Sequence, residues 1–124
     1  MQKFLLGSLL FVAISCGKSL PSFEGVNLNQ WKEDKFGCSG KRIVDWETLK
    51  EQTDKLKGLS EAEIIEVMGR PDHNELYKRN QKFYHYFVEG ARECARADTT
   101  NQKLLSIRFN AMGYAKEVDW VTSR

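Results

Sequence analysis

LKGLSEAEIIEVMGRPD, residues 56–72, encodes one short helix together with the signals that begin and end it. Ser60 and Glu63 have the S-x-x-E spacing of a capping box, in which each side chain accepts a hydrogen bond from the backbone amide of the other residue. Most residues of the next two turns are apolar, which is typical of a deeply packed helix. The stretch therefore predicts a helix from residue 61 to about Met68.

The residues that follow this helix have a sufficient structural explanation. Gly69 permits the positive φ of a left-handed helix stop, and Pro71 prevents the helix from continuing. Asp72 can accept backbone amides in a turn. We therefore expect these three residues to shape the backbone rather than to take part in chemistry.

Another helix is predicted immediately upstream, over residues 46–57. Asp45 has the side chain of an N-cap residue, and Gly58 follows the helix as a stop signal. The apolar stripe repeats at helical spacing and consists of Trp46, Leu49, Thr53 and Leu56.

The chain after Asp72 has the pattern of β-structure. Aromatic residues and short alternating runs predict four strands, at residues 75–78, 83–88, 104–109 and 114–121. Residues 110–113 have the composition of a hairpin turn, with Gly113 at its end. The sequence therefore predicts an α+β fold with two N-terminal helices packed on a three- to four-stranded antiparallel sheet, a two-layer sandwich.

The N-terminal sequence MQKFLLGSLLFVAISC, residues 1–16, has the pattern of a bacterial secretory signal. Lys3 precedes an apolar run of 11 residues, which is too short to span a bilayer. Residues 13–16 resemble a lipobox, the cleavage site of bacterial lipoprotein signal peptides. The resemblance implies removal of residues 1–15 and acylation of Cys16. The alternative is an ordinary signal peptide with an incidental cysteine.

An acylated Cys16 predicts a location in the bacterial envelope. Two or more acyl chains hold a protein stably on a membrane. Gly17, rather than Asp, follows the cysteine, which favours the outer membrane, with the protein facing the periplasm. Residues 16–30 are rich in Gly, Pro, Ser and Asn and predict a lipidated tether, with Phe23 as a candidate docking residue.

The size and charge of the mature chain limit its function. Removal of the signal leaves 109 of 124 residues, enough for one small domain. We place this domain at residues 31–124, with residues 31–44 as an ordered extension. Loss of Lys3 leaves 18 basic against 17 acidic residues, a net charge of +1. Such a chain lacks the basic patch of a nucleic-acid binder, and Lys41-Arg42 and Lys78-Arg79 are interpreted as solvated.

The two cysteines that follow Cys16 predict a disulfide. Cys38 and Cys94 would be exported to an oxidising compartment, where pairing is the default interpretation. Closing a loop of roughly 57 residues stabilises a fold by about 4 kcal/mol in the chain-entropy model. Because two cysteines and two scattered histidines lack metal-ligand spacing, no metal or other cofactor is expected.

The block at residues 56–72 resembles the L-x-G-[ML]-[ST]-x-x-[ED]-[VI]…[LM]-G-x-P-D pattern of the SmpA/OmlA, or BamE-like, lipoprotein domain. The segment Tyr84-His85-Tyr86 is similar to the aromatic second strand of that family. Residues 105–110 with Gly113 resemble its V-x-F-D-x-x-G hairpin, and Val118 follows in the expected place. The similarity covers just over half of the chain.

This resemblance implies two helices on a three-stranded antiparallel sheet, without catalysis or a cofactor. The best-known members are accessory lipoproteins of the machinery that inserts β-barrel proteins into the outer membrane, and they bind other proteins. The fold family also includes secreted inhibitors of enzymes such as β-lactamases, which is the alternative function. Residues 31–42 and the expected Cys38–Cys94 link depart from the family pattern.

Two of the three candidate binding residues lie on the predicted strand at residues 83–88, and the third lies on the strand at residues 104–109. Side chains alternate along a strand, so one face holds Phe83, His85 and Phe87, and the other holds Tyr84 and Tyr86. The helices can cover only one face, and Tyr and Arg are enriched in binding hot spots. Tyr84, Tyr86 and Arg108 are therefore the candidate protein-binding residues. The alternative is that the tether or the polar loop at residues 89–102 covers the face away from the helices.

His73 and His85 do not indicate an enzyme. Asp72 precedes His73, but sequence adjacency does not create the geometry of a catalytic triad. His85 lies between two tyrosines, where a hydrogen-bonded sheet histidine is common. We expect a non-catalytic protein whose partners are a membrane, through the lipid on Cys16, and other envelope proteins. Neither nucleic acid nor a small-molecule substrate is expected.

Overall fold

Within residues 19–96 and 98–122, which the computed structural model describes, three α-helices precede one four-stranded sheet. The elements are α1 (Leu28–Glu33), α2 (Lys41–Lys50), α3 (Glu61–Met68), β1 (His73–Tyr77), β2 (Gln81–Glu89), β3 (Lys103–Phe109) and β4 (Ala115–Thr122). All neighbouring strands are antiparallel, in the order β1-β2-β3-β4. The predicted α+β class, with helices before an antiparallel sheet, is confirmed. The signal sequence and Cys16 lie outside the described residues.

Helix α3 has the predicted caps. Ser60 Oγ accepts from the Glu63 amide at 3.2 Å, and Glu63 Oε1 accepts from the Ser60 amide at 3.0 Å. Gly69 ends the helix with a φ of +81°, which glycine adopts most readily, although its ψ of 178° lies outside the left-handed helical region. The Glu61 amide donates to the carbonyl of Gly113, which fixes the start of α3 against the β3–β4 hairpin.

Helix α2 differs from its prediction at both ends. It begins at Lys41 rather than Trp46 and ends at Lys50, after which residues 53–56 form a 3-10 turn. The capping carboxylate is that of Asp34, which accepts from the Ser39, Lys41 and Arg42 amides at 2.6, 2.9 and 3.0 Å. The predicted N-cap, Asp45, lies inside the helix.

The predicted tether and the ordered extension contain a helix, α1, that the sequence pattern did not predict. Asn27 caps α1 by accepting from the Gln30 amide, and Trp31 on this helix is 1 % exposed. Six residues are too few to show a clear helical period. Phe23 is buried in the core, as its candidate docking role requires. The described part of the tether therefore packs against the domain. Among the described residues there is no helix with the length and apolar character that a bilayer crossing requires.

The core lies between the helices and one face of the sheet. The expected helical stripe of Trp46, Leu49, Thr53 and Leu56 is buried, because the 3-10 turn continues it after α2. The sheet contributes Tyr84, Tyr86 and Val88 from β2 and Leu105, Ile107 and Phe109 from β3. A disulfide joins Cys38, before α2, to Cys94 in the β2–β3 loop, as the sequence predicts.

Candidate functional site

The sheet face turned away from the helices, which we call the open face, is formed by four rows of residues across the strands. The rows, in register, are Tyr77-Gln81; Glu75-Phe83-Arg108-Glu117; His73-His85-Ser106-Asp119; and Phe87-Leu104-Val121. This face thus combines aromatic rings, histidines and charged groups.

Tyr84 and Tyr86 are not on this face, and their prediction as surface contacts is wrong. They lie opposite Ile107 and Leu105, and all four side chains are buried beneath the helices. The Tyr86 hydroxyl donates to the Gly69 carbonyl at 2.7 Å. The ambiguity in the sequence was that both faces of β2 carry aromatic residues.

The Tyr84 hydroxyl donates to Glu61 Oε1 at 2.9 Å. Burial and this hydrogen bond raise the pKa of Tyr84 to about 12. Burial, with a smaller effect from neighbouring Tyr84, also raises the pKa of Tyr86. Both phenols therefore serve as protonated structural groups between the sheet and α3.

One aromatic group on the open face lies on β1 and β2. The rings of Phe83 and His85 are stacked with centroids 5.8 Å apart, and Tyr77 meets Phe83 edge-on at 5.4 Å. His85 Nε2 lies 3.0 Å from Glu75 Oε2. Tyr77 is exposed and Phe83 is partly exposed, so these rings offer an apolar contact surface.

A second aromatic group lies where the open face meets the segment before α2. The Phe36 and Phe87 rings lie 5.7 and 5.5 Å from the His73 ring. His73 Nε2 also lies 2.8 Å from Glu93 Oε1, in the β2–β3 loop. This corner is therefore partly covered by the loop.

Arg108, the third candidate binding residue, does lie on the open face. Its Nη1 donates to Gln81 Oε1, and its Nη2 lies 2.9 Å from Glu117 Oε1. The hydrogen bond from Arg108 lowers the pKa of the Glu117 carboxyl, and the same bond raises the pKa of the guanidinium. Arg108 is thus charged and already positioned in the free protein.

The described part of the tether does not occupy the open face; its contacts are on the helix side. Ser22 O accepts from Lys55 Nζ at 2.9 Å, and the Asn27 amide donates to Asp45 at 3.1 Å. The side chain of Glu117, beside Arg108, is 57 % exposed. The β4 side of the open face is therefore accessible, whereas Ser106, at its centre, is buried.

A buried ion pair supports the edge of this face. Arg42 Nη1 lies 2.6 Å from Asp72 Oδ2, and the two side chains are 1 % and 2 % exposed. The expectation that Arg42 is solvated is therefore wrong. Asp72 also accepts hydrogen bonds from the Phe36 and Phe87 amides. It therefore binds backbone amides as expected, but these amides belong to distant segments and not to its own turn.

Two clefts lie outside the open face. A shallow cleft of about 740 Å³ is lined by residues 21–23 and 25–29 and by Asp45. A smaller cleft of about 220 Å³ is lined by Lys35, Phe36, Arg70, Pro71 and Asp72. In the part of the chain that the structure describes, no group of three or more His, Cys, Asp or Glu side chains is arranged to hold a metal ion.

Comparisons with protein-family models, curated proteins and solved structures found no match to this chain. The fold and the candidate site thus define a class in structural terms: an α+β domain that contains a disulfide and has one sheet face turned away from the helices and covered by the β2–β3 loop at one corner.

Proposed function

We propose that this chain is a non-catalytic lipoprotein of the bacterial envelope and that its open face binds other proteins. The observation that carries the proposal is the accessible group formed by Tyr77, Phe83, His85 and Arg108. Aromatic residues and arginine are enriched among residues that dominate binding energy. Because Arg108 is already held by two side chains, less conformational entropy is lost when a partner binds.

The proposed location rests on the N-terminal pattern and the disulfide. Residues 1–16 have the signal and lipobox features described above. The Cys38–Cys94 bond spans 56 positions and suits an oxidising compartment. A Cys16→Ser variant should lose fatty-acid labelling and lipoprotein-type processing. Labelling that persists in this variant would contradict the lipid anchor.

A role in outer-membrane protein assembly or envelope integrity follows from the sequence resemblance to the BamE-like family. The described helices precede an antiparallel sheet, which is compatible with that fold. Residues 28–42 contain α1, a 3-10 turn at residues 35–37 and the first two residues of α2, and the family pattern does not include them. We therefore propose the family fold with an added N-terminal layer.

A hydrolase is the less favoured function for the open face. Glu75 and His85 form a carboxylate–imidazole pair, and Ser106 lies opposite His85 on β3. However, His85 Nδ1 is buried and has no hydrogen-bond partner among the described residues, so Ser106 is not bonded to the imidazole. A nucleophile and its base are expected within hydrogen-bond reach. A hydrolase would lose turnover of its substrate in a His73→Ala or His85→Ala variant that still folds, and such a loss would contradict the non-catalytic proposal.

Inhibition of an enzyme is the second candidate function. It is favoured by the way that the open face is fixed, with Arg108, Glu117 and Gln81 already bonded to one another. Preorganised surfaces of this kind support tight binding to a single partner.

Recovery of the intact, lipidated protein with its bound partners tests both candidates. A Phe83→Ala/Arg108→Ala variant should lose the partner, whereas Val44→Ala should retain it, because Val44 is 78 % exposed on α2, which covers the opposite face. Recovery of barrel-assembly components would support the assembly role. One enzyme at equal stoichiometry would support inhibition. A partner that binds both variants equally would contradict the open face as its site.

A further inference from the structure

We propose that the free edge of β1 accepts an extended segment of a partner polypeptide, which adds a fifth strand to the sheet. This inference rests on the proposed protein-binding function, but the added strand would bind through the backbone edge of β1, which borders the open face. Among the residues that the structure describes, β1 is an edge strand, because its one neighbour in the sheet is β2. An edge strand presents unpaired backbone donors and acceptors that a further strand can use.

The backbone groups that face outwards can be identified from the pairing. The amide of Phe87 donates to Asp72, and the carbonyl of Phe87 accepts from Arg42, so both groups point towards the β1 side of β2. Backbone groups alternate in direction along a strand. The backbone N–H and C=O groups of Phe83 therefore also point towards β1, where Glu75 lies opposite Phe83. By the same alternation, the N–H and C=O groups of Asn74 and Leu76 point away from the sheet.

The side chains of β1 leave this edge accessible. All five residues of the strand are exposed. Leu76, on the face that carries the helices, is 79 % exposed. Neither proline nor lysine, which commonly protect edge strands, occurs between His73 and Tyr77. The opposite edge strand, β4, carries Lys116 and a register shift near its start.

The charge of β1 indicates the kind of segment that fits. The Glu75 side chain is 61 % exposed and lies beside Tyr77 on the open face. An added strand that places a cationic residue opposite Glu75 and an apolar residue beside Leu76 would complement both faces. Two copies of this chain, paired so that all five residues overlap, would place Glu75 opposite Glu75. This repulsion favours a different polypeptide over a second copy.

A random peptide library displayed on phage, selected against the oxidised protein, tests this proposal. Enriched peptides should alternate apolar and polar residues, and one of the polar residues should be cationic. Their binding should slow the hydrogen exchange of the Asn74 and Leu76 amides. Leu76→Pro removes an outward N–H without removing a bond to β2, and should weaken binding by about tenfold or more. Leu76→Ala is the matched control, because it keeps the amide and should bind more tightly than the proline variant.

The outcomes separate this inference from the proposed open-face function. Peptides that bind the Phe83→Ala/Arg108→Ala variant normally but do not bind the Leu76→Pro variant would support edge pairing, even if the open face binds no protein. The proposal is contradicted if no peptide is enriched, or if Leu76→Pro binds as well as Leu76→Ala at an unchanged melting temperature. It is also contradicted if β1 pairs with β1 of a second copy, seen as a dimer that Leu76→Pro dissociates.

Discussion

The guanidinium of Arg42 and the carboxylate of Asp72 make the two hydrogen bonds to the backbone of Phe87 that a further residue of β1 would otherwise make. β1 begins at His73, opposite His85. Beyond that point Phe87 donates its amide to Asp72 at 2.7 Å, and its carbonyl accepts from Arg42 at 2.8 Å. The ion pair therefore extends the pairing of β2 by one position, at the corner that supports the open face.

Loss of Arg42 should strongly destabilise the fold. Arg42→Met leaves the Asp72 charge buried without its cation, and removal of one partner from a buried pair costs about 3–5 kcal/mol. Urea unfolding should show this loss. Lys41→Met is the control and should change stability by less than about 1 kcal/mol, since its ion pair with Glu33 is exposed. Equal stability of the two variants would contradict the structural role of the pair.

The double variant Arg42→Met/Asp72→Leu should remain less stable than the native protein. In many proteins an apolar replacement of both ions is neutral or stabilising. Here it leaves the amides of Phe36 and Phe87 and the carbonyl of Phe87 without their side-chain partners. A double variant as stable as the native protein would show that these backbone bonds contribute little.

Asp34 should contribute more to stability than an ordinary helix cap. Asp34→Ala removes the acceptor of three amides, and we expect a loss of about 2 kcal/mol or more. Asp54→Ala, which breaks one exposed ion pair with Lys57, should change stability by less than about 1 kcal/mol. Thermal or urea unfolding distinguishes the two. A smaller effect for Asp34 than for Asp54 would rule out this cap.

Removal of the disulfide should lower the free energy of unfolding by about 4 kcal/mol, because the bond closes a long loop in the unfolded chain. The measurement is urea unfolding of Cys38→Ala/Cys94→Ala beside the oxidised protein. Alkylation of the unfolded, oxidised protein without reductant should find neither of these thiols. Two reactive thiols at these positions would exclude the bond.

Stability should decline at alkaline pH because of the core tyrosines. The folded-state pKa of Tyr84 is about 12, above its ordinary value of 10. Above about pH 10 the unfolded chain loses this proton while the folded protein retains it, so folding weakens as pH rises towards 12. Below about pH 10 the phenol is protonated in both the folded and the unfolded state, so its full contribution to stability is present. Tyr84→Phe should reduce the slope between about pH 10 and 12 relative to the native protein, and an unchanged slope would contradict the assignment.

Local signals in the sequence predicted the second half of the fold well. The capping box of Ser60 and Glu63 involves neighbours in sequence, and the strands follow from alternation and turn composition. The start of α2 was not predictable in the same way. Its cap, Asp34, acts across a turn in which Phe36 has a φ of +60°, a conformation that the sequence does not indicate.

The candidate site was predicted only in part, for a related reason. Alternation correctly separated Tyr84 and Tyr86 from Phe83 and His85, but aromatic residues lie on both faces, and the prediction placed the two tyrosines on the exposed face, which is wrong. The register with β3 decides which face is buried, because Leu105 and Ile107 lie opposite the two tyrosines. The burial of Arg42 could not be predicted from local sequence either, since its partner Asp72 lies 30 positions away.

Photo-cross-linking in intact cells tests the central claim, that the open face binds other proteins, most directly. A photoreactive phenylalanine analogue would replace Phe83, on the open face, or Val44, which is exposed on α2. We predict a discrete adduct with another envelope protein from position 83 and none from position 44, at equal amounts of folded lipoprotein. The absence of an adduct from position 83, or adducts of equal yield from both positions, would contradict the claim.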